Sequence, residues 1–174
     1  MRCPMHRILL DTSVYGKLAT EKDILDKIRQ QRELHKFVIY GSSLIRNELR
    51  ATPKTKVQGA RKLRILLLEI YDTFITKQNH ILAFNKLIET LSEDYFKEYR
   101  KHKGHLSQDA LRNDFIIIAT ATIYHLDIVV SDDENTMLSE VAVKSFRAVN
   151  KRYGLPDPLF RSYTQFKTEL MRMQ

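Results

Sequence analysis

Cysteine is almost missing from this chain of 174 residues. Cys3 stands alone, so no disulfide framework can form within one copy. A lone thiol, with no signal-peptide h-region near the start, points to a reducing cytoplasm. Ile8–Leu10, the apolar run nearest the start, is much too short for such a region. Long hydrophobic runs are missing as well. No stretch approaches the roughly 20 apolar residues of a membrane-spanning helix, so no membrane partner is expected. Internal repeats, low-complexity tracts and a convincing linker are also lacking. The six histidines show no paired spacing, which leaves no His-based metal motif and no assigned His base. Acidic residues are outnumbered, 21 against 29 Lys and Arg, and the resulting net charge of +8 points to polyanionic partners, nucleic acid first.

What remains suffices for one globular domain, since a 43% hydrophobic share and this length can build a core unaided by disulfides. Arg7-Ile8-Leu9-Leu10-Asp11-Thr12-Ser13 reads as a buried strand that stops at a carboxylate, with Thr12 or Ser13 capping the next helix. Glu21–Leu34 has the periodicity of an amphipathic helix. Phe37–Tyr40 is a second strand, followed by a helix from Ser42 or Ser43 to Arg50 that Pro53 stops. A helix is predicted from about Val57 to Tyr71, a short third strand within Asp72–Thr76, and a long helical stretch from about Ile81 to Lys103. Ser107 caps a helix to about Leu126 whose second half, Phe115–Tyr124, is apolar nearly all round. Ile128–Ser131 is the next strand, and Val141–Phe146 is undecided between strand and helix. Asp157-Pro158 reads as the N-cap and first residue of a terminal helix carrying Leu159, Tyr163, Phe166 and Leu170 on one face. Strands alternate with helices, so the fold class is α/β with a mostly parallel sheet between helices.

Four carboxylates fall where such a sheet places ligands, beyond the carboxyl ends of its strands. Asp11 ends the first strand, and Glu48 lies on the Leu44 and Ile45 side of the helix after the second. Asp114 opens the apolar half of its helix, on the face of Ile117, Ile118 and Ala121. Asp133 or Asp132 follows Ile128–Val130. Carboxylates gathered in one crevice repel and lose hydration, and a raised pKa, a basic partner or a bound cation relieves them. Oxygen donors alone favour a hard ion, Mg²⁺ or Mn²⁺. Each residue also has an ordinary explanation: a turn and cap at Asp11, a surface charge at Glu48, a polar loop at Asp132–Asn135.

Taken in order, Leu9-Leu10-Asp11-Thr12-Ser13, Asn47-Glu48-Leu49, Asp114 before Ile-Ile-Ile-Ala119-Thr-Ala121, and Ile128-Val-Val-Ser131-Asp-Asp133 resemble the PIN-domain nucleases, including VapC-type toxin ribonucleases. The resemblance spans roughly Ile8–Phe146. It implies a three-layer α/β/α sandwich, Mg²⁺- or Mn²⁺-dependent cleavage of RNA phosphodiesters, a small antitoxin partner and a homodimer. It also implies that Asp11, Glu48, Asp114 and Asp133 are the acidic catalytic and metal-binding set, with Ser13 and Ser131 in support and Asp132 as the fallback for the fourth position. Residues 1–150 then form the nuclease domain and 151–174 a helical extension packed on it, whose apolar face is a candidate dimer surface. The chain departs from the family in having Thr136-Met137 where a small aromatic is usual.

Arg46, Arg50 and Lys54, with Lys56, Arg61, Lys62 and Arg64 beyond them, are candidate RNA contacts, and Lys97, Arg100, Lys101, His102 and Lys103 form a second basic group. A PIN-fold RNA-binding or regulatory module without hydrolytic activity is the alternative. A receiver domain would need a mid-chain phosphoacceptor Asp and a later Lys, and a haloacid-dehalogenase-type phosphatase would need Asp where Ser13 stands.

Overall fold

The computed structural model describes residues 5–173; Cys3 lies outside them. Its centre is β1 (His6–Leu10), where Ile8, Leu9 and Leu10 are buried on both sides. That double burial is the mark of an interior strand in a parallel sheet. β2 (Phe37–Ser42) lies on one side of β1 and β6 (Ile128–Ser131) on the other. β5 (Ile81–Leu82) extends the sheet beyond β2, and β7 (Leu159–Ser162) extends it beyond β6. The five strands run in the order β5-β2-β1-β6-β7, every pair parallel. The chain leaves β1 in one direction to reach β2 and crosses back to reach β6, so the switch point falls between β1 and β6.

Helices flank this sheet in two packed groups, in keeping with a PIN-like α/β/α sandwich. α5 (Lys86–Lys101), α6 (Gln108–Ile123) and α7 (Glu140–Tyr153) pack on one another. They join through Tyr95, Phe115 and Phe146, whose ring centroids lie 4.9 to 6.5 Å apart. The other group is α1 (Thr12–Leu18), α2 (Lys22–Glu33), α3 (Ser43–Ala51), α4 (Leu63–Phe74) and α8 (Tyr163–Arg172). No helix among the described residues is long and apolar enough to cross a membrane.

Several boundaries differ from those predicted. Residues 57–62 form a hairpin, β3 (Val57–Gln58) against β4 (Arg61–Lys62), and only the rest of the expected segment is helical. Gly59, at φ +59°, supplies the turn. There is no strand within 72–76, because α4 continues to bury Phe74 one turn beyond Ile70 and Tyr71. The third strand of the main sheet is instead Ile81–Leu82, at the start of the stretch expected to be helical. Val141–Phe146 lies within α7, capped by Ser139.

Asp157 caps nothing. Its carboxylate accepts a 2.8 Å hydrogen bond from Asn150, whose Oδ1 accepts from the buried Tyr95 hydroxyl at 2.6 Å. The freed segment pairs with the open edge of β6 as β7, and Ser162 starts α8 through a capping box with Gln165. Tyr163, Phe166 and Leu170 face inward, with Phe166 edge-on to Phe37 at 6.3 Å. The surface expected to receive a second copy is therefore core, and only Leu159 of that face is exposed.

Candidate active site at the carboxyl edge

The β1–β6 ladder runs one residue past β1. The Asp11 N–H donates to the Val130 carbonyl at 2.8 Å, which fixes Asp11 at the tip of the sheet. Its side chain is 6% exposed and caps α1, so Asp11 itself, not Thr12 or Ser13, is the N-cap. One oxygen, Oδ2, accepts from Ser13 Oγ at 2.7 Å and Ser131 Oγ at 2.9 Å, with a longer approach of the Ser13 N–H at 3.4 Å. Each serine also accepts from the loop after β6: Ser13 Oγ from the Asp132 N–H and Ser131 Oγ from the Asp133 N–H, both at 3.0 Å. Two hydroxyls thus fasten that loop to the Asp11 carboxylate. Among the described residues no hydrogen bond reaches Asp11 Oδ1.

Glu48 arrives on α3, whose start is set by the Ser42 cap. Both its carboxylate oxygens are held: Thr12 Oγ1 donates to one, and Asn113 Nδ2 donates to the other at 2.6 Å. Asp114, next to Asn113 on α6, approaches Asp133 across a single hydroxyl. Thr136 Oγ1 lies 2.9 Å from Asp114 Oδ2 and also touches Asp133 Oδ2. A hydroxyl has one proton to donate. Both interactions are satisfied at once when one of the two carboxyls carries a proton and donates it to Thr136, while Thr136 donates to the other. Burial, followed by the nearby charges of Asp11, Asp133 and Glu48 and partly offset by Thr136, raises the Asp114 pKa to about 7. The other Asp133 oxygen accepts from the Thr136 and Asn135 N–H groups at 2.8 and 3.1 Å, in an Asx-type turn.

Asp11, Glu48 and Asp133, brought by β1, α3 and the loop after β6, all lie near enough to Asp114 of α6 for their charges to raise its pKa. Asp132 turns away to Lys17, 3.2 Å distant, and Asp133 takes the inward place. No salt bridge among the described residues neutralises any of the four. Arg46 is held by Asp72 through two 3.2 Å hydrogen bonds, away from the carboxylates. Arg50 and Lys54 are exposed and make no side-chain hydrogen bond to the cluster. In the second basic group, Lys97 pairs with Asp94, Lys101 with Glu98, and Arg100 donates to the Gly104 carbonyl.

Thr12, Asn113 and Thr136 were not among the predicted site residues. Thr12 reads in sequence as a cap, and Asn113 as one polar residue on a helix. Thr136 shows there only as a departure from the family pattern, which is the one signal that could have found it. A cavity of about 550 Å³ lies beside the cluster, lined by Lys17, Asp132, Tyr163, Lys167 and Arg172 among others, without reaching the four carboxylates. The carboxylates define the site better, since concentrated like charge in a half-buried crevice needs a chemical reason.

The donor set suits a hard divalent cation: oxygen only, no basic partner, and one carboxyl that ionises reluctantly without added positive charge. Among the described residues no three such side chains already converge as ligands on one point. Hydroxyls and an amide hold the carboxylate oxygens in place, so binding would exchange some of those hydrogen bonds for bonds to the ion.

No protein-family model matches the chain, and no curated protein matches its sequence. Solved structures do share its fold. It is similar to a chain of VapBC2 from Rickettsia felis bound to a fragment of promoter DNA: 14% identity, TM-score 0.56, 90% of this chain and 98% of that one covered. DNA-bound VapBC from Salmonella typhimurium matches at 15% identity and TM-score 0.56, over 91% and 98% of the two chains. FitAcB from Neisseria gonorrhoeae matches at 18% and 0.52, over 88% and 96%. At these identities the likeness is one of fold, and it spans nearly the whole of each matched chain.

Proposed function

We propose that this protein is a metal-dependent endoribonuclease that hydrolyses RNA phosphodiester bonds, and that it is the toxin of a toxin–antitoxin pair. The observation that carries the reading is the approach of Asp11, Glu48 and Asp133 to Asp114 from separate elements, with no salt bridge to any of the four among the described residues. Such an arrangement is costly to a fold and useful to phosphodiester chemistry. Bound Mg²⁺ or Mn²⁺ would supply the positive charge that orients a water and offsets charge gathering on the phosphoryl oxygens. Asp11, Asp114 and Asp133 are the residues assigned to hold it, with Glu48 a further ligand or the group that positions water. Ser13 and Ser131 keep Asp11 in one rotamer, Asn113 and Thr12 do so for Glu48, and Thr136 sets the spacing of Asp114 and Asp133.

The toxin assignment rests on two agreeing likenesses, a sequence that resembles VapC-type ribonucleases and a fold similar to VapBC and FitAB structures. The matched structures are complexes, which favours a protein partner; an antitoxin covering the acidic crevice and a second copy of this chain are the partners proposed. RNA as substrate rests on the site and the charge, not on those structures.

The deciding experiment compares wild type, Asp11→Asn and Asp114→Asn on RNA with Mg²⁺, Mn²⁺ or EDTA. Cleavage by wild type with either metal, lost in EDTA and reduced at least a hundredfold in both variants, is the expected result. Equal activity in all three proteins overturns the site. Absence of cleavage on a broad RNA set, with binding retained, moves the function to an RNA-binding module.

A further inference from the structure

The net positive charge of the chain is concentrated in one place. Between Leu49 and Leu68 there are six cations, Arg50, Lys54, Lys56, Arg61, Lys62 and Arg64, and no Asp or Glu, which accounts for +6 of the +8. The centre of this stretch is the β3–β4 hairpin. Every residue from Pro53 to Lys62 is exposed, Val57 by 63%, so the segment adds nothing to the hydrophobic core. Its closure rests on the Val57–Lys62 and Gln58–Arg61 pairs and on a 3.0 Å hydrogen bond from Leu63 N–H to the Lys56 carbonyl. An isolated two-stranded hairpin is marginal in water, and like charges along it weaken it further.

Several surface cations elsewhere are tied to acids: Lys97 to Asp94, Lys101 and Arg152 to Glu98, Arg161 to Glu169. Among the described residues, only Arg61 of the six has such a partner, Glu69. The hairpin also follows closely on the end of α3, which carries Glu48 into the carboxylate cluster, and Arg64 donates back to the Arg50 carbonyl at 3.5 Å. Solvated cations without acid partners, on a segment that follows closely on the helix bearing Glu48, suit one kind of occupant, a flexible polyanion whose phosphates lie on the cations while another part of it enters the crevice.

We infer that residues 53–64 form an arm that grips the backbone of single-stranded RNA outside the cleavage site, through Lys54, Lys56, Lys62 and Arg64. The arm would set affinity without reading sequence, since its reach is to phosphates. This assignment rests on the ribonuclease reading for the choice of RNA, but its test does not need cleavage.

The test is anisotropy of a labelled 20-nucleotide single-stranded RNA in EDTA over a salt series. It compares wild type with the quadruple Lys54→Gln, Lys56→Gln, Lys62→Gln, Arg64→Gln. A charge-matched quadruple elsewhere, Lys22→Gln, Lys86→Gln, Lys144→Gln, Lys151→Gln, is the control. The hairpin variant should bind at least tenfold more weakly in low salt. Its salt slope should fall by about 0.7 for each phosphate no longer neutralised, or about 3 for four. The control should keep most of the wild-type affinity. Equal weakening of both quadruples overturns the arm in favour of bulk charge. A hairpin variant that keeps RNA affinity but loses binding of poly-glutamate overturns it in favour of an acidic protein partner. A wild type that binds no RNA in low salt also overturns it. If the wild type binds RNA through the hairpin and never cleaves it, the ribonuclease reading fails and the arm stands. If it cleaves and the hairpin variant binds normally, the arm alone fails.

Discussion

Thr136 shows how much of a site can depend on one hydroxyl. It stands where the sequence departs from the family it resembles, and in the fold it spans Asp114 and Asp133. Thr136→Val keeps the shape and removes the bridge. Cleavage should fall about 10- to 100-fold with the fold intact, as for other groups that orient metal ligands, and Thr136→Ser should restore most of it. Metal titration by calorimetry, beside circular dichroism, checks both halves. Asp114 carries a second prediction. Its carboxyl titrates near 3.8 in an unfolded chain and at about 7 in the fold, so between those values the folded protein keeps a proton that the unfolded chain has lost. The stability this group contributes is therefore full below about pH 4 and lost as pH rises to about 7. In EDTA, Asp114→Asn should remove that slope and stabilise the protein at pH 8 by about 1–3 kcal/mol. Urea unfolding at pH 5 and pH 8 measures it, and added Mg²⁺ should raise Tm more for wild type than for the variant.

Elements were legible in the sequence where burial was continuous or a cap was strong. β1, β2, β6 and the apolar α6 follow from runs of Ile, Leu and Val, and Ser107 from its place before α6. The misread elements are short. β5 and β3 have two residues each and β7 four, too few for any period to show. Their conformation is set by the partner strand, which single-sequence periodicity cannot see. The site followed the same rule. Its acids lie just beyond strand ends (Asp11, Asp133) or on readable helices (Glu48, Asp114), whereas Asn113 and Thr136 matter through hydrogen bonds across 65 and 22 residues of sequence. One close approach between elements was equally invisible: a Cβ on Gly41 of β2 would lie 2.3 to 2.8 Å from the Tyr71 side chain of α4, whose hydroxyl donates to the Ser42 carbonyl. Gly41→Ala should displace α4 and cost about 1–3 kcal/mol, read by thermal unfolding. Because Ser42 starts the helix that carries Glu48, cleavage should fall by more than the reduced stability explains.

At the scale of the molecule, acid and base are segregated: four carboxylates without salt bridges among the described residues at the sheet edge, and most of the excess positive charge between Arg50 and Arg64, on and around the hairpin. The sheet whose edge carries those acids is completed by the C-terminal segment. β7 covers the open edge of β6, and β6 leads directly into the loop that carries Asp133. α8 seats Phe166 against Phe37 of β2, and Lys167 reaches Glu21 at the start of α2. This segment is thus a wall of the domain rather than an appendage. Phe166→Ala should destabilise the protein by about 3–5 kcal/mol, a large share of the roughly 5–15 kcal/mol typical of a domain. Lys167→Gln, which removes only a partly exposed ion pair, should cost under about 1 kcal/mol. Urea melts of the two variants separate the contributions. Near-wild-type stability of Phe166→Ala would mean that β7 and α8 dock loosely and that residues 1–150 hold the fold unaided. In that case the loop bearing Asp133 would keep its position without β7, and metal affinity should not change in the variant. On the proposed reading the expected outcome is the opposite, a variant that loses both stability and metal affinity.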